Sequence, residues 1–303
     1  MKRKIAFLSN PVSGTINKSK YKKIIQEEMN ASGIQYEFLD TNARGSYPDL
    51  EKRILQDEIT DVVVIGGDGT ISSVSAALRH TNARFGIIPA GSGNGLAFAA
   101  GISNDTRKAV KVIIEGYAAL IDAFSINNHY SCMLSGIGFD AKVAHQFAGS
   151  GKRGFITYLK IVIKNFFSAT PYPFKVHFQN RLLATEAYFI SIANSNQFGN
   201  HFTIAPKAKL NDGLMDMVIV QKMNKLQLLI SIIQQIRFGD IKEDIFKEHS
   251  IVYTQTDMIE IENPSLAPLH IDGDPFGTDS KFNIKIIRDA FLLIQPRPKV
   301  FLN

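Results

Sequence analysis

The chain has 303 residues, of which 45% are apolar, a formal net charge of +6 and a single cysteine, Cys132. This length is comfortable for two domains, and one cysteine excludes both an internal disulfide and a zinc site built from several thiolates. The positive charge favours an anionic partner, either a nucleotide or an acidic membrane surface. Because no stretch combines basic residues with regularly spaced aromatics, we expect no nucleic-acid partner.

Strand and helix patterns alternate through the first part of the chain. Short apolar runs predict strands at 4–9, 35–41, 61–67 and 84–91. Apolar residues at helical spacing predict helices after the first strand, with Gly33 as the C-terminal cap, and again over 48–58 and about 70–79. Strands separated by helices of this length pair in parallel, which predicts an open α/β sheet.

From about residue 120 the pattern changes to short alternating strands. Two of them meet at Asn127-Asn128, a favoured hairpin turn, and a second pair meets at Asn180-Arg181. Further strand patterns read GLMDMVIVQ, HSIVYTQ, DMIEIEN and FNIKIIRD. The second part is therefore expected to be an antiparallel, mainly β domain.

Glycine-rich segments follow three of the predicted parallel strands, at 10–14, 66–70 and 89–95. Parallel strands end at a common edge, so these loops can converge on one ligand. Bare backbone amides and the N-terminus of a following helix suit phosphate groups. The carboxylate of Asp68 would repel a bare phosphate, which indicates a divalent cation or ordered water between them. The alternative is a tight strand–helix turn in which Asp68 caps the helix.

Six segments resemble the motifs of one family, the catalytic domain shared by diacylglycerol kinases, sphingosine kinases and bacterial soluble lipid kinases. They read NPVSGT, GGDGT and PAGSGNGLA in the first part and SGIGFDA, LNDGLMD and HIDGDP in the second. The resemblance therefore covers essentially the full length. GGDGT alone also occurs in NAD kinases, whereas the GSGN and DGDP segments favour the lipid kinases.

The resemblance implies a two-domain fold. A three-layer α/β nucleotide-binding domain would span 1–120, and an antiparallel β-sandwich domain for the lipid substrate would span 121–289. The last strand, near 290–296, would return with residues 290–303 to the first domain, and the nucleotide would lie in the cleft between the domains.

The resemblance also implies the site residues. Asp274, two positions after the aspartate of the DG motif, would be the general base, and Asp68 would act near a magnesium ion bound with ATP. Many relatives have glutamate where this chain has Asp274, and aspartate is one methylene shorter. In isolation, residues 272–275 also fit an acidic turn between two strands. The implied ATP contacts are Asn10, Pro11, Val12, Ser13, Gly14, Thr41, Gly66, Gly67, Asp68, Gly69, Thr70, Ile71, Ser72 and Ser92.

A structural magnesium site is implied by LNDGLMD. The carboxylate of Asp212 would bind the ion together with the backbone carbonyls of Lys209 and Leu214, since oxygen ligands suit a hard cation. An ordinary Asn-Asp-Gly turn fits the same letters, so both interpretations stay open.

The expected activity is ATP-dependent phosphorylation of a lipid hydroxyl. Diacylglycerol is the default acceptor, and a sphingoid base is the alternative. Two rival hypotheses are an NAD kinase, which has a soluble acceptor, and a nucleotide-binding regulator without catalysis.

The expected location is the cytoplasm with peripheral membrane contact. No apolar run reaches the roughly 18 residues of a transmembrane helix, and the N-terminal apolar stretch is too short for a signal peptide. The apolar segment 154–169 carries Lys160 and Lys164. It predicts either a helix packed on a core or one that lies on an anionic bilayer. Self-association into a homodimer is left open.

Overall fold

The chain forms two compact units. The structure, a computed structural model, describes residues 2–9, 18–42, 45–151, 155–197, 203–224 and 250–298. The first unit contains the residues up to Ile121 and those from Asp289 onward, and the second contains Asp122–Arg288.

The first unit is an α/β unit with a parallel sheet. Its elements are β1 (Lys4–Ser9), α1 (Lys18–Ser32), β2 (Gln35–Asp40), α2 (Pro48–Leu55), β3 (Asp61–Gly66), α3 (Asp68–Leu78), β4 (Arg84–Pro89), α4 (Gly95–Ala99) and α5 (Thr106–Glu115). The strands pair in the order β4-β3-β1-β2. The inner strands β1, β3 and β4 are almost fully buried, whereas β2 is half-buried. Continuous apolar runs are typical of parallel strands covered on both faces.

Helices α1 and α5 illustrate why these segments are helical. Ile25 and Met29 of α1 are fully buried one turn apart, and Gly33 follows the helix with φ +69°, which confirms the predicted cap. Asp105 is the N-cap residue before α5, and its carboxylate accepts the Lys108 N–H at 2.9 Å. The buried side chains of α1 and the N-cap of α5 therefore explain why these two segments are helical.

The second unit consists mainly of antiparallel strands. Two strands, β5 (Ala118–Ile126) and β15 (Lys281–Ile294), are shared with the first unit. The other elements are β6 (His129–Ser131), β7 (Leu134–Gly138), α6 (Phe139–Gly149), α7 (Phe155–Phe166), β8 (Tyr172–Phe178), β9 (Arg181–Ala193), β10 (Met215–Gln221), β11 (Ile251–Thr256), β12 (Met258–Glu262), β13 (Leu269–Ile271) and β14 (Asp274–Phe276). Strand β9 pairs with β8 over its first half, and over its second half it pairs with β7 on one side and β10 on the other. The inward side chains form one apolar core, which includes Phe124, Ile137, Phe174, Ile190, Met217, Ile261, Leu269 and Phe282.

Two hairpin turns use residues with positive φ, as two-residue hairpin loops require. Asn127 and Asn128 have φ 45° and 69° between β5 and β6, as predicted. The turn between β8 and β9 consists of Gln179 and Asn180, with φ 47° and 59°. It lies one residue earlier than the predicted Asn180-Arg181 turn, because Arg181 is already paired with Phe178.

The last strand returns to the first unit. Residues predicted as two strands form the single strand β15, which pairs antiparallel with β12 near its start. Asp289 has φ 50°, and beyond it Leu292 and Leu293 pair in parallel with the first two residues of β4. An α/β unit, a β-sandwich unit and a returning last strand confirm the predicted fold class. Helices α4, α5 and α6 are additions to the predicted elements.

A buried carboxylate joins the amino-terminal ends of the inner strands. Asp61, the first residue of β3, is 0% exposed. Arg3 donates to it through Nε at 2.9 Å, and Arg84 donates through Nε at 2.5 Å and Nη2 at 2.9 Å. The same guanidinium groups also donate to the carbonyls of Ile114, in the last turn of α5, and of Gly116, which follows it. This cluster lies at the edge of the sheet opposite to the glycine loops.

Asp61→Asn should lower the free energy of unfolding by about 3 kcal/mol, because it leaves two guanidinium groups without their counter-charge. Urea denaturation followed by circular dichroism measures the change. Asp57→Asn is the matched control, since Asp57 is exposed and the variant should stay within about 0.5 kcal/mol of the parent. Equal effects of the two substitutions would show that the cluster does not stabilise the sheet.

Candidate functional site

Four strands of the first unit end in register at one edge of the sheet. Ser9 is paired with Ile65 and Asp40, and Gly66 is paired with Pro89. The chain remains paired just beyond these ends, since Thr41 N–H donates to Ser9 O and Ala90 N–H donates to Gly66 O, both at 3.0 Å. The loops after β3 and β4 therefore start side by side. The predicted contacts at residues 10–14 lie outside the described residues.

Gly67 and Gly91 bring these two loops into backbone contact. A Cβ atom on Gly91 would lie 2.4 Å from the Cα of Gly67, and a Cβ on Gly67 would lie 2.9 Å from the Cα of Gly91. Side chains at these positions would therefore force the loops apart. These two glycines are required for packing of the two loops against each other. This role could not be predicted from the sequence.

Asn94 closes the second loop and was missed in the sequence. It is 4% exposed and has left-handed backbone angles, φ 57° and ψ 38°, immediately before α4. Its Oδ1 accepts the Gly91 N–H at 2.8 Å, and its Nδ2 donates to the Gly91 carbonyl at 3.0 Å. The available signal was the asparagine itself, since Asn adopts this conformation more readily than other non-glycine residues.

Asp68 links the two loops through its carboxylate. It is the first residue of α3, and the N-cap position before it is Gly67. Its Oδ2 accepts the Gly95 N–H at 3.0 Å and its Oδ1 accepts the Leu96 N–H at 3.3 Å. Both of these bonds come from the N-terminus of α4.

The other predicted ATP contacts in this unit differ in exposure. The side chain of Ile71 is 3% exposed, so it packs in the core. The N–H groups of Thr70 and Ile71 both donate to Gly67 O at 3.1 Å, so the first turn of α3 already uses them. Four of these residues are buried: Thr41, Gly66, Ile71 and Ser72. Four are partly exposed: Gly67, Asp68, Gly69 and Thr70. Ser92 is exposed.

In the second unit, HIDGDP forms the hairpin β13–β14, which is the predicted acidic turn between two strands. Asp272 and Gly273 are its turn residues, with φ 50° and 85°. Asp274 is the first residue of β14, pairs with Ile271 and is exposed. The turn thus places the predicted general base at the solvent-exposed end of a hairpin.

Asp272 anchors this hairpin and was also missed in the sequence. It is 8% exposed, and its carboxylate accepts four hydrogen bonds. The Ser131 hydroxyl donates at 2.7 Å, and the N–H groups of Cys132, Met133 and Leu134 donate at 3.1–3.2 Å. The two aspartates of the DGD segment therefore differ in environment: the first is buried and bonded, and the second is exposed.

The predicted magnesium ligands lie in an exposed turn. Asp212 and Lys209 are exposed, and Asp212 Oδ1 accepts the Leu214 N–H at 3.1 Å. Burial raises the pKa of Asp216 to about 6, and the charge of Asp212 adds to this effect. The predicted ligands, one carboxylate and two backbone carbonyls, are all oxygen donors, which suit magnesium. Within the described residues no three His, Cys, Asp or Glu side chains form a metal-binding group.

Comparisons with known proteins cover both units. Residues 4–126 match the diacylglycerol kinase catalytic domain, and residues 134–288 match the YegS C-terminal NAD kinase beta sandwich-like domain. A diacylglycerol kinase of Staphylococcus carnosus is 26% identical over 282 residues, covering 90% of this chain and 89% of that protein. A diacylglycerol kinase of Bacillus subtilis is 25% identical over 277 residues, covering 90% of each.

A third relative and a solved structure agree with these matches. A probable YegS-like lipid kinase of Alcanivorax borkumensis is 27% identical over 252 residues, covering 81% of this chain and 82% of that protein. The structure of a putative diacylglycerol kinase from Bacillus anthracis str. Sterne has the same fold, with a TM-score of 0.78, 21% identity and 97% of each chain covered. The chain therefore belongs to the lipid kinase family that joins a diacylglycerol kinase catalytic domain to a YegS-type C-terminal domain.

Proposed function

We propose that this lipid kinase transfers the γ-phosphate of ATP to the hydroxyl group of diacylglycerol. The observation that carries the proposal is the common edge at which β1, β2, β3 and β4 end, with two glycine loops in backbone contact beyond β3 and β4. Diacylglycerol is chosen as the acceptor because the Staphylococcus carnosus and Bacillus subtilis relatives carry that name and align with 90% of this chain.

In the proposed reaction the loops at this edge hold the phosphates of ATP. The loop after β4 exposes Ser92, whose hydroxyl can donate to a phosphate oxygen. Asp68 keeps the two loops joined through its bonds to Gly95 and Leu96. Magnesium bound with ATP would neutralise charge on the phosphates, and Asp68 is the acidic residue nearest the phosphate loops in sequence.

Asp274 is proposed to accept the proton of the lipid hydroxyl. A primary alcohol is a poor nucleophile until a base removes its proton, and an exposed carboxylate on a short hairpin can perform this step. Asp272 supports the proposal indirectly, because its four hydrogen bonds hold the turn that carries Asp274.

The experiment that tests this function offers the purified protein ATP with diacylglycerol, sphingosine or NAD in parallel, and identifies phosphorylated products by mass spectrometry. Phosphatidic acid should form. Product only from sphingosine or only from NAD would overturn the assignment of diacylglycerol. ATP binding by calorimetry without transfer to any acceptor would favour the non-catalytic regulator.

Asp274→Asn should lower kcat by at least about 100-fold while ATP affinity changes less than about threefold, because the amide cannot accept the proton. Asp274→Glu should retain activity, since glutamate is also a carboxylate base. Asp257→Asn is the control, because Asp257 is an exposed acidic residue of the same unit, and its activity should match the parent. An active Asp274→Asn protein would exclude the base assignment.

Gly91→Ala should weaken ATP binding about tenfold, because the new methyl group pushes the loop away from Gly67 and such overpacking costs about 1–3 kcal/mol. Titration calorimetry measures the affinity. Gly149→Ala is the matched control, since a Cβ there would meet no atom within 4 Å. Unchanged ATP affinity in Gly91→Ala would show that the contact between the two loops does not affect nucleotide binding.

One face of α7 and the residue after it support the proposal that the enzyme works at an anionic membrane surface. Ile156 is 71% exposed, Ile163 44% and Phe167 62%. Lys160 and Lys164 are also exposed. These five positions follow helical spacing, so apolar and cationic side chains share one surface.

The opposite face of α7 packs on α6. Phe166 meets Phe139, and Tyr158 meets Phe147, each pair in an edge-to-face arrangement. In the described part of the chain no helix is long and apolar enough to cross a membrane. Both predictions for segment 154–169 therefore apply to α7: one face is packed, and the other is proposed to meet lipid. The expected cytoplasmic location stays part of this proposal.

The double variant Lys160→Gln/Lys164→Gln should bind vesicles that contain anionic phosphatidylglycerol about 30-fold more weakly, because each lysine near such a surface contributes about 1 kcal/mol. Vesicle sedimentation measures the partition. Lys108→Gln/Lys285→Gln makes the same charge change at exposed positions elsewhere and should bind as the parent does. Equal loss in the two variants would indicate attraction by net charge alone.

A further inference from the structure

A buried histidine lies next to the turn that carries Asp274. His270 is 0% exposed and is paired with Gly136 of β7 and Pro275 of β14. Its Nδ1 accepts the Gly273 N–H at 3.2 Å. An Nδ1 atom that accepts a hydrogen bond carries no proton, so the ring is the neutral tautomer with its proton on Nε2.

Asp140 faces the other nitrogen of the same ring. His270 Nε2 donates to Asp140 Oδ2 at 3.4 Å, and Asp140 Oδ1 accepts the Ala141 N–H at 2.8 Å in the first turn of α6. The Asp140 carboxylate is thereby oriented by a helix N-terminus, where negative charge is favourable.

Gly136 makes room for this pair. A Cβ at this position would lie 1.8 Å from Asp140 Oδ2 and 2.7 Å from His270 Nε2. Gly136 and Asp140 both belong to the SGIGFDA segment, and His270 belongs to HIDGDP. Two segments that are about 130 residues apart in the chain are therefore joined by one buried contact.

We propose that Asp140 and His270 are positioning residues for Asp274. Asp140 keeps the proton of His270 on Nε2, so that Nδ1 accepts the Gly273 N–H and holds the turn in the conformation that presents Asp274. The inference rests on the proposed role of Asp274 as the general base. Asp272 holds the same turn from the β6–β7 side, so the two turn residues are each bonded to a different part of the unit.

The Asp140→Asn variant tests the proposal by changing the tautomer. The amide oxygen of the new side chain can keep the Ala141 N–H bond, which turns its NH₂ group toward His270 Nε2. The ring proton must then move to Nδ1, where it faces the Gly273 N–H. The turn loses this bond while the shape and volume at residue 140 are retained.

Long-range ¹⁵N–¹H spectra of histidine-labelled protein report the tautomer directly. The His270 signals are assigned by their absence in His270→Gln. In the parent protein Nδ1 should show the shift of an unprotonated ring nitrogen and Nε2 that of a protonated one. In Asp140→Asn, Nδ1 should show the shift of a protonated ring nitrogen and Nε2 that of an unprotonated one. A protonated Nδ1 in the parent, or an unchanged tautomer in the variant, would overturn the proposal.

Kinetics provide the second readout. Asp140→Asn should lower kcat about 10- to 100-fold with KM for ATP within twofold, because misplacing a reacting group affects the chemical step. His270→Asn should retain more activity than His270→Gln, since the shorter amide can accept the Gly273 N–H and the longer one reaches Asp140 instead. The reverse order, or no loss in Asp140→Asn, would contradict the positioning role.

His145→Asn is the matched control for general loosening of β13. His145 Nε2 lies 2.8 Å from Leu269 O, next to His270, but makes no bond to the turn. This variant should lower the melting temperature as much as Asp140→Asn and keep kcat within twofold. An equal loss of kcat in His145→Asn would show that the effect of Asp140→Asn results from lower stability and not from positioning. If Asp274 is not the general base, the Asp274→Asn protein will be active. The positioning proposal can still be judged in that case, because the tautomer of His270 is measured without any turnover.

Discussion

The contact between the backbones of Gly67 and Gly91 is the constraint on which the arrangement of the loops after β3 and β4 depends. The distance from a Cβ on Gly91 to the Cα of Gly67 would be only 2.4 Å, so neither loop can move toward the other and neither can carry a side chain there. The parallel register of β3 and β4 places the loops side by side, and Asp68 and Asn94 fix them after they meet. Glycine at these two positions serves protein packing first, and the proposed phosphate binding would use the same bare backbone.

Aspartate has different physical roles in the recurring Asp-Gly segments of this chain. Asp272 is buried and accepts four hydrogen bonds, so it is a structural anchor, whereas Asp274 two positions later is exposed. Asp68 lies between these extremes, because its oxygens bond to the start of α4 at the edge of the sheet. Environment, and not residue type, separates a carboxylate that holds a loop from one that is proposed to take a proton.

Much of this architecture follows from the sequence because it depends on local patterns. The buried strands, the Gly33 cap and the Asn127-Asn128 turn each result from a few neighbouring residues. Contacts between distant segments were not predictable in the same way: Gly67 meets Gly91, and His270 meets Asp140, only after the sheets have formed. Helix α6 was missed because it begins directly after β7, and Gly138, with φ 105°, makes the change of direction without a linker.

Strand β15 has a consequence for how the chain folds as it is made. Its first half pairs with β12 in the second unit and its final residues pair with β4 in the first, so the sheets of both units remain incomplete until the ribosome has passed Ile294. Until then β4 has an uncovered edge on the side that β15 will occupy, and unpaired strand edges attract other chains. Completion of the two units is therefore a late, nearly simultaneous event in biosynthesis.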